Sequence, residues 1–533
     1  MNGGNTLGRG SRFYILRAST IKIIHVIICV ILSYVALSQT SVKNRLINIR
    51  DFGATGNGKT VDSKAINKAI DAALLAGGGT VYFPAGTYLS YSIRLKSNIS
   101  LFLDQGCTLL AADVSEGAKY DDAEPGAGNH YQDFGHSHWH NSLIWGENLE
   151  NVSILGPGKI YGKGLSRGFS AEEHWERIGI NPGNLMREGI ANKAIALKLC
   201  RNVILKDFTI LNGGHFGILA TGVDNLTIDN LKMDTNRDGM DIDCCRNVRI
   251  SNCTINSPYD DAICLKSSYA LGYARATQNV TITNCQVSGY DLGTFYNGTY
   301  QRNEWKQVPD QEGPTGRIKF GTESNGGFKN ITISNCVFEY CRGLALETVD
   351  GGFLEDVAIT NITMRDVTNS PFFLRLGGRM RGPKGKRIGE LRRVMINNVI
   401  AYNADAHFAS IIAGLPGNEL EDVQLNNIRI YYRQIDSPLS KIQTIVPEHE
   451  KTYPEPQKMG VMPSYGFFIR HVKNIAMNNV EVSYMGKETR PPFVIDDVKG
   501  IELRNVKAQP VKGVSLFVLS KVENIEIKDS SVE

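Results

Sequence analysis

Five aspartates fall in two short clusters, Asn236-Arg-Asp-Gly-Met-Asp-Ile-Asp243 and Ser257-Pro-Tyr-Asp-Asp-Ala-Ile-Cys-Leu-Lys-Ser267, separated by Arg246-Asn-Val-Arg-Ile-Ser-Asn-Cys-Thr-Ile255. The separating segment alternates apolar and polar residues and predicts a strand. If the clusters occupy equivalent places on neighbouring coils of one stack, carboxylates distant in sequence meet on one patch of surface. Such a patch suits cleavage of a glycosidic bond, where one carboxyl protonates the leaving oxygen and others, ionised, activate water. Asp beside Gly and Asn also makes turns, and for any one of these residues that reading stands equally well. Two clusters about one coil apart favour the chemical reading.

The coils are written in a repeat of Asn or Asp, an apolar residue, any residue and a second apolar residue. It runs through Asn151-Val-Ser-Ile, Asn202-Val-Ile-Leu, Asn225-Leu-Thr-Ile, Asn247-Val-Arg-Ile, Asn279-Val-Thr-Ile, Asn330-Ile-Thr-Ile, Asp356-Val-Ala-Ile, Asp422-Val-Gln-Leu, Asn474-Ile-Ala-Met and Asn524-Ile-Glu-Ile. The shortest intervals, from Asn202 to Asn225 and on to Asn247, are 23 and 22 residues. Alternating strands at this period, with no helix inside the repeat, predict an all-β solenoid of the parallel β-helix kind, each coil covered by the next. One elongated domain over 39–533 is expected, with 39–90 as its N-terminal cap region. There Asp62 is expected to cap a helix whose Ile66, Ala69, Ile70, Ala73 and Leu74 share one stripe, closing an end that would otherwise expose unpaired backbone. The Gly-rich turn before it, Gly53-Ala-Thr-Gly-Asn-Gly58, lacks the Lys-Ser/Thr of a phosphate-binding loop. The sequon matches at Asn98, Asn151, Asn279 and Asn330 are read as by-products of the Asn repeat rather than glycosylation sites.

Residues 1–38 carry Arg9, Arg12, Arg17 and Lys22 without an acid, then an apolar run ending in Ala36-Leu-Ser38. This reads as a signal peptide, shorter than the about 20 apolar residues of a membrane span, and places the mature chain outside the cytoplasm, secreted or periplasmic. Its removal takes the net charge from +4 to about zero, so neither nucleic acid nor, after cleavage, a membrane is expected as a partner, and a monomer is expected. Of ten cysteines, Cys253, Cys285 and Cys336 recur at one place in the repeat, as a stacked row of small buried side chains would. Cys244-Cys245 and Cys336/Cys341 stay open as pairs. Gly- and charge-rich insertions at 161–192, 289–316, 377–389 and 433–466, with Trp175 and Trp305, mark the side where binding residues are expected.

With these motifs in place, nearly everything after residue 46 resembles glycoside hydrolase family 28, the polygalacturonase-like pectin hydrolases. The resemblance rests on Arg50-Asp-Phe-Gly-Ala-Thr-Gly-Asn-Gly58, Asn236-Arg-Asp-Gly-Met-Asp-Ile242 and Asp260-Asp-Ala-Ile-Cys-Leu-Lys-Ser267. It implies a single-stranded right-handed parallel β-helix, a pectic poly- or oligosaccharide substrate, and inverting hydrolysis without a cofactor or metal. It puts Asp260 in the place of the general acid and Asp238 and Asp261 in that of the water-activating pair. Crowding three carboxylates should raise the pKa of one of them. Lys266 and Glu323 are expected among the substrate-binding positions, and His215, in Gly213-Gly-His-Phe216 just before the aspartate coil, reads equally as a substrate contact or as a structural histidine. The family's Gly-His-Gly lacks its histidine near Thr315, although Gly321-Thr-Glu-Ser-Asn-Gly-Gly327 fits the segment that follows. The family's Arg-Ile-Lys is replaced in Arg342-Gly-Leu-Ala-Leu-Glu-Thr348, with Ala345 and Glu347 where cations belong, while Arg317-Ile-Lys319 stands about one coil too early. Arg317, Lys319, Arg375, Arg379 and Arg381 are expected either to restore positive charge from nearby coils or to form a solvated basic face. The altered subsite also fits a rhamnogalacturonan.

His136-Ser-His-Trp-His140 offers three imidazoles, read as lining of the cleft rather than a zinc site because no Cys or acidic ligand accompanies them at metal spacing. The leading expectation is hydrolysis of α-bonds in galacturonate-containing pectin, at chain ends if the insertions close the cleft. Two readings of other classes stand beside it: a calcium-dependent pectate lyase, giving unsaturated, chelator-sensitive turnover, and a β-helix that binds glycans without cleaving them.

Overall fold

The structure is a computed structural model that describes Gly3 and residues 46–114, 119–125, 131–132, 134–166, 189–235, 237–303, 314–435 and 441–532. The expected leader at 1–38, Trp175, Trp305 and Asn236 lie outside these residues. Residues 47–533 form one compact unit.

Strand after strand pairs in parallel with the strand one coil later, Leu226 with Val248 and Val248 with Val280, Ile228 with Ile250 and Ile250 with Ile282. This is the parallel β-helix that the repeat predicts, consistent with the right-handed coil that the family resemblance implies. Up to the coil of Asn474 the apolar residues of the repeat point inward and stack on their equivalents, so the core is a set of continuous Val, Ile and Leu columns, fully buried at Leu226, Ile228, Ile250 and Ile282, while Ile525 and Ile527 of the last repeat are exposed.

The Asn of the repeat has a geometric reason. Asn151, Asn202, Asn225, Asn247, Asn279 and Asn330 all hold left-handed backbone, with φ of 55–57°, a conformation Asn tolerates better than other residues with a Cβ. Their side-chain amides hydrogen-bond up the stack, each Nδ2 donating to the Oδ1 one coil before at 2.8–3.2 Å. The four sequon asparagines are members of this ladder. Cys253, Cys285 and Cys336 are buried in their own row, and every described cysteine is free, Cys244, Cys245 and Cys341 included.

At the N-terminal end the helix α1 (Ser63–Leu75) buries Ala65, Ile66, Ala69, Ile70 and Ala73 against the strands Gly79–Phe83, Ile93–Arg94 and Ile99–Leu103. Two details of the expected cap differ. Leu74 is largely exposed, because the buried stripe ends at Ala73. Asp62 stands at the helix N-cap without a side-chain bond to the helix; its carboxylate turns back and accepts from the backbone N–H of Thr55 at 2.8 Å and Gly56 at 3.0 Å, fixing the Gly-rich turn instead.

Candidate active site

One sheet of the helix carries the aspartates. Its strands β1 (Phe216–Thr221), β2 (Asp238–Asp243), β3 (Ile263–Ser267), β4 (Ile318–Ser324), β5 (Leu344–Thr348), β6 (Phe372–Leu376), β7 (Ser410–Ala413) and β8 (Phe467–Tyr484) lie in parallel order. Within β2, Met240 and Ile242 belong to the core, so the alternation of a strand turns Asp241 and Asp243 outward. Register then builds an outward row of Leu219, Asp241, Cys264, Lys319, Ala345, Phe373, Ile411 and Phe468.

Asp238 opens β2, and Asp260 and Asp261 end the turn that leads into β3. The N–H of Gly239 donates to the Asp261 carbonyl at 2.9 Å, which sets the two clusters at the same level. Oxygens of Asp238, Asp260 and Asp261 lie within 4.8 Å of one another. The structure therefore brings the three aspartates together at one point.

Their surroundings differ. Asp238 is buried and its Oδ1 has no hydrogen-bond partner; burial, then the charges of Asp241 and Asp260, push its pKa well above the usual carboxylate range. Asp261 is equally buried, and that burial opposes its charge, but Lys319, Arg317 and Lys266 outweigh it and hold the carboxyl down at about 2. Arg317 Nε donates to Asp261 Oδ1 at 2.8 Å and Lys319 Nζ lies 3.3 Å from Oδ2. Asp260 is gripped by Arg237, whose Nε and Nη2 both reach Oδ2, at 3.1 and 2.6 Å. One carboxyl that keeps its proton thus sits against two that are paired with cations.

The cations named from the sequence are internally paired, and all but the half-buried Arg381 are withdrawn from solvent. Lys266 Nζ lies 3.0 Å from Glu323 and 3.7 Å from Asp241. Lys319 Nζ also bonds the Tyr453 hydroxyl at 3.0 Å, and Arg317 also bonds Glu455 at 2.6 Å. Arg379 is held by Asp350 at 2.5 Å, with Glu323 at 3.6 Å. Arg381 meets the Tyr131 carbonyl at 2.7 Å and lies 3.9 Å from Glu323. Arg375 is placed away from the carboxylates: it is buried, and its guanidinium donates to the carbonyls of Gly414 and Glu448. Glu347 projects among Lys319 at 3.8 Å and Arg317 at 4.0 Å. Burial lifts its carboxyl to about 7 in spite of both cations. The basic residues therefore form a neutralised floor rather than a solvated basic face.

His215 is buried and stacks on Phe216 at 4.2 Å. Burial, then the positive charge of Arg237, drives its pKa well below the ordinary value, so it stands there as a neutral imidazole. His136 Nε2 lies 3.0 Å from Asp241 Oδ2, whereas His140 turns to Glu147 at 2.9 Å and stacks on Trp145. The histidine triplet is therefore split, with His136 on an aspartate of β2 and His140 on Glu147. Among the described residues, the groups with metal-like spacing are His136–Asp238–Asp241 and Asp238–Asp260–Asp261. The ammonium of Lys266 beside the first and the guanidinium of Arg237 on the second already supply the counter-charge a cation would bring.

Walls rise on both sides of this floor. Toward the N-terminus, Trp139 packs with Ala196, Phe216 and Leu219 over the outward row. Toward the C-terminus, the insertion before β8 returns as a strap: Val446, Met459 and Met462 bury Ala345, Phe373, Ile411 and Phe468, and Glu455 ties to Arg317 and to Arg342 at 2.9 Å. Sequence reasoning passed over Asp241, Arg237, Arg342, Tyr453 and Glu455 as site residues. Asp241 was readable from strand alternation; the strap residues sit more than a hundred positions from their partners, with no local signal to find them.

Fold and site together define a parallel β-helix with a carboxylate-floored groove. A family model described as "Rhamnogalacturonase A/epimerase, pectate lyase-like" matches residues 46–154, and that of "Glycosyl hydrolases family 28" matches 127–294, the segment that holds Asp238, Asp260 and Asp261. Over that segment the chain is similar to glycosyl hydrolases family 28. It is 28% identical over 348 residues to a "Probable polygalacturonase" of Vitis vinifera, covering 61% of this chain and 65% of that protein. It is 26% identical over 283 residues to an "Exo-poly-alpha-D-galacturonosidase" of Dickeya chrysanthemi, covering 45% and 44%. The chain thus spans less than two thirds of the length of these relatives. In fold it is similar to the family 28 exopolygalacturonase of Yersinia enterocolitica (TM-score 0.55, 19% identity, 91% of this chain and 79% of that one). It is likewise similar to the exopolygalacturonase of Thermotoga maritima (TM-score 0.54, 20% identity, 74% and 88%).

Proposed function

We propose that the chain hydrolyses α-glycosidic bonds of galacturonate-containing pectic saccharides, working from a chain end and inverting the anomeric centre. The observation that carries this reading is the meeting of Asp238, Asp260 and Asp261 within 4.8 Å, one keeping its proton and one held ionised at about 2. Cleavage needs both states at once, a proton for the leaving oxygen and a base for water. Asp260 is the most exposed of the three and is assigned to the leaving oxygen, with Asp238 and Asp261 flanking the water. The names of the relatives support the substrate class. The strap supports attack on a chain end, because Val446, Met459 and Met462 cover the outward row over β5 to β8.

The cluster is tighter than the roughly 6.5–9.5 Å that separates the carboxyls of most inverting pairs. Stereochemistry is therefore measured separately from activity. Incubation with oligogalacturonides is expected to release saturated mono- or disaccharides, with the same rate in chelator, and proton NMR of the first product is expected to show the β-anomer. Unsaturated, chelator-sensitive products would replace this reading with a calcium-dependent lyase, and the α-anomer appearing first would make a carboxylate the nucleophile.

A further inference from the structure

A uronate that enters this groove brings a negative charge to a floor already crowded with Asp238, Asp241, Asp260 and Asp261, and it needs a cation to receive it. Three cations touch the catalytic carboxylates. Arg317 and Lys319 are 2% exposed and locked between Asp261, Glu347, Glu455 and Tyr453, so drawing either away would leave buried acids unpaired, a large penalty. Arg237 differs: its side chain is 14% exposed, and its carboxylate partner Asp260 is 16% exposed. It stands one residue before Asp238 at the solvent side of the cluster.

Resting on the hydrolytic reading above, we propose that Arg237 is the specificity-determining cation of the groove. It grips Asp260 through two nitrogens while the groove is empty, and it moves to the substrate's carboxylate when a uronate binds, releasing the Asp260 carboxylate to take a proton.

The guanidinium exchanges one carboxylate for another and stays paired, while Asp260 is left facing Asp238 from the neighbouring coil and Asp261 from its own turn. Asp238 faces Asp241, Asp260, Asp261 and Lys266 and carries the proton in the empty groove. Its oxygens reach within 4.8 Å of those of Asp260, a gap that one water bridges. The proton passes from Asp238 to Asp260 and from there to the glycosidic oxygen as the bond from that oxygen to the anomeric carbon breaks. Water adds to the carbon and gives its proton to Asp238, now a base, and Arg237 returns to Asp260 as product leaves. One water is consumed and every proton is returned. A neutral sugar leaves Arg237 where it is, so Asp260 stays bound to the guanidinium and turnover suffers along with binding.

The test compares an oligogalacturonide with its carboxyl-reduced counterpart in the full chain and in Arg237→Gln and Arg237→Lys. On the acidic substrate Arg237→Gln is expected to lose roughly ten- to hundredfold in kcat/KM, the range of a charge-assisted hydrogen bond, and to lose at least about tenfold less on the reduced one. Arg237→Lys keeps the charge but not the two-nitrogen grip and is expected to fall between. Equal losses on both substrates would overturn the proposal. If Arg237→Gln does not fold, as thermal unfolding would show, Arg237→Lys decides alone, and wild-type discrimination in that variant would overturn the proposal too. Wild-type failure to cleave any oligogalacturonide would strike the hydrolytic reading itself; wild-type cleavage without preference for the acidic form would strike only this inference.

Discussion

Asp238 and Asp261 are the same side chain in opposite surroundings, and their substitutions should move stability in opposite directions. The folded state holds a proton on Asp238 that the unfolded chain releases near its ordinary carboxylate value. Above about pH 4 the folded form therefore binds more protons than the unfolded form, and stability falls as pH rises through that window. Asp238→Asn removes this burden: its melting temperature is expected to exceed wild type near neutral pH and to converge with it below about pH 4, while turnover is lost. Asp261 runs the other way. Its carboxyl is held at about 2, so its contribution is complete above the unfolded value and is lost only as pH falls toward 2. Asp261→Asn leaves Arg317 and Lys319 buried against one fewer acid, and urea unfolding at neutral pH is expected to show a loss of about 3–5 kcal/mol. A matched rise or fall in both variants would mean that the two carboxyls share one electrostatic environment.

At the scale of the coil, the ladder asparagines separate backbone strain from side-chain bonding. Asn247 holds φ 57°, donates to Asn225 at 3.2 Å and accepts from Asn279 at 2.9 Å. Asn247→Gly keeps the backbone free of strain and loses only the ladder bonds, an expected cost of about 0.5–1.5 kcal/mol. Asn247→Ala adds about 1–2 kcal/mol of left-handed strain, so chemical denaturation should rank Ala well below Gly; the reverse order would mean that the corner relaxes. This ladder is why the fold was legible in the sequence. One residue type marks each corner and apolar residues mark each inward position, so period and parallel pairing follow from local text. The three aspartates were legible for the same reason, since equal spacing along coils becomes adjacency across them. The pairing that sets their charges was not. Arg237 on Asp260 depends on side-chain reach between coils, Arg375 looks like a groove cation until the strap's carbonyls are seen around it, and Glu455 meets Arg317 across 138 positions. Insertions have no period, so where they fold back is decided by the apolar row they cover, Phe373, Ile411 and Phe468, rather than by anything in their own composition.

Across the whole molecule, the strap links the apolar outward row to the carboxylate cluster, and the proposed function makes that link one between substrate access and charge. Apolar contacts of Val446, Met459 and Met462 hold it down over β5 to β8. Glu455 fastens its groove-side end to Arg317, the residue that also grips Asp261, and Tyr453 fastens it to Lys319. A closed groove on that side predicts products of one or two sugars from the first minutes and a slow fall in the viscosity of polymeric substrate. Replacing Glu455 and Tyr453 together by alanine leaves the apolar contacts in place but frees the groove-side end, and it leaves Arg342 without its acidic partner. The double variant is expected to admit longer chains. Chromatography of early products should then show intermediate oligosaccharides and viscosity should drop faster per bond cut, with slower turnover because Arg317 and Lys319 are less firmly placed around Asp261. Slower turnover with an unchanged product ladder would mean that the strap sets the charges of the site without setting the length of chain it admits.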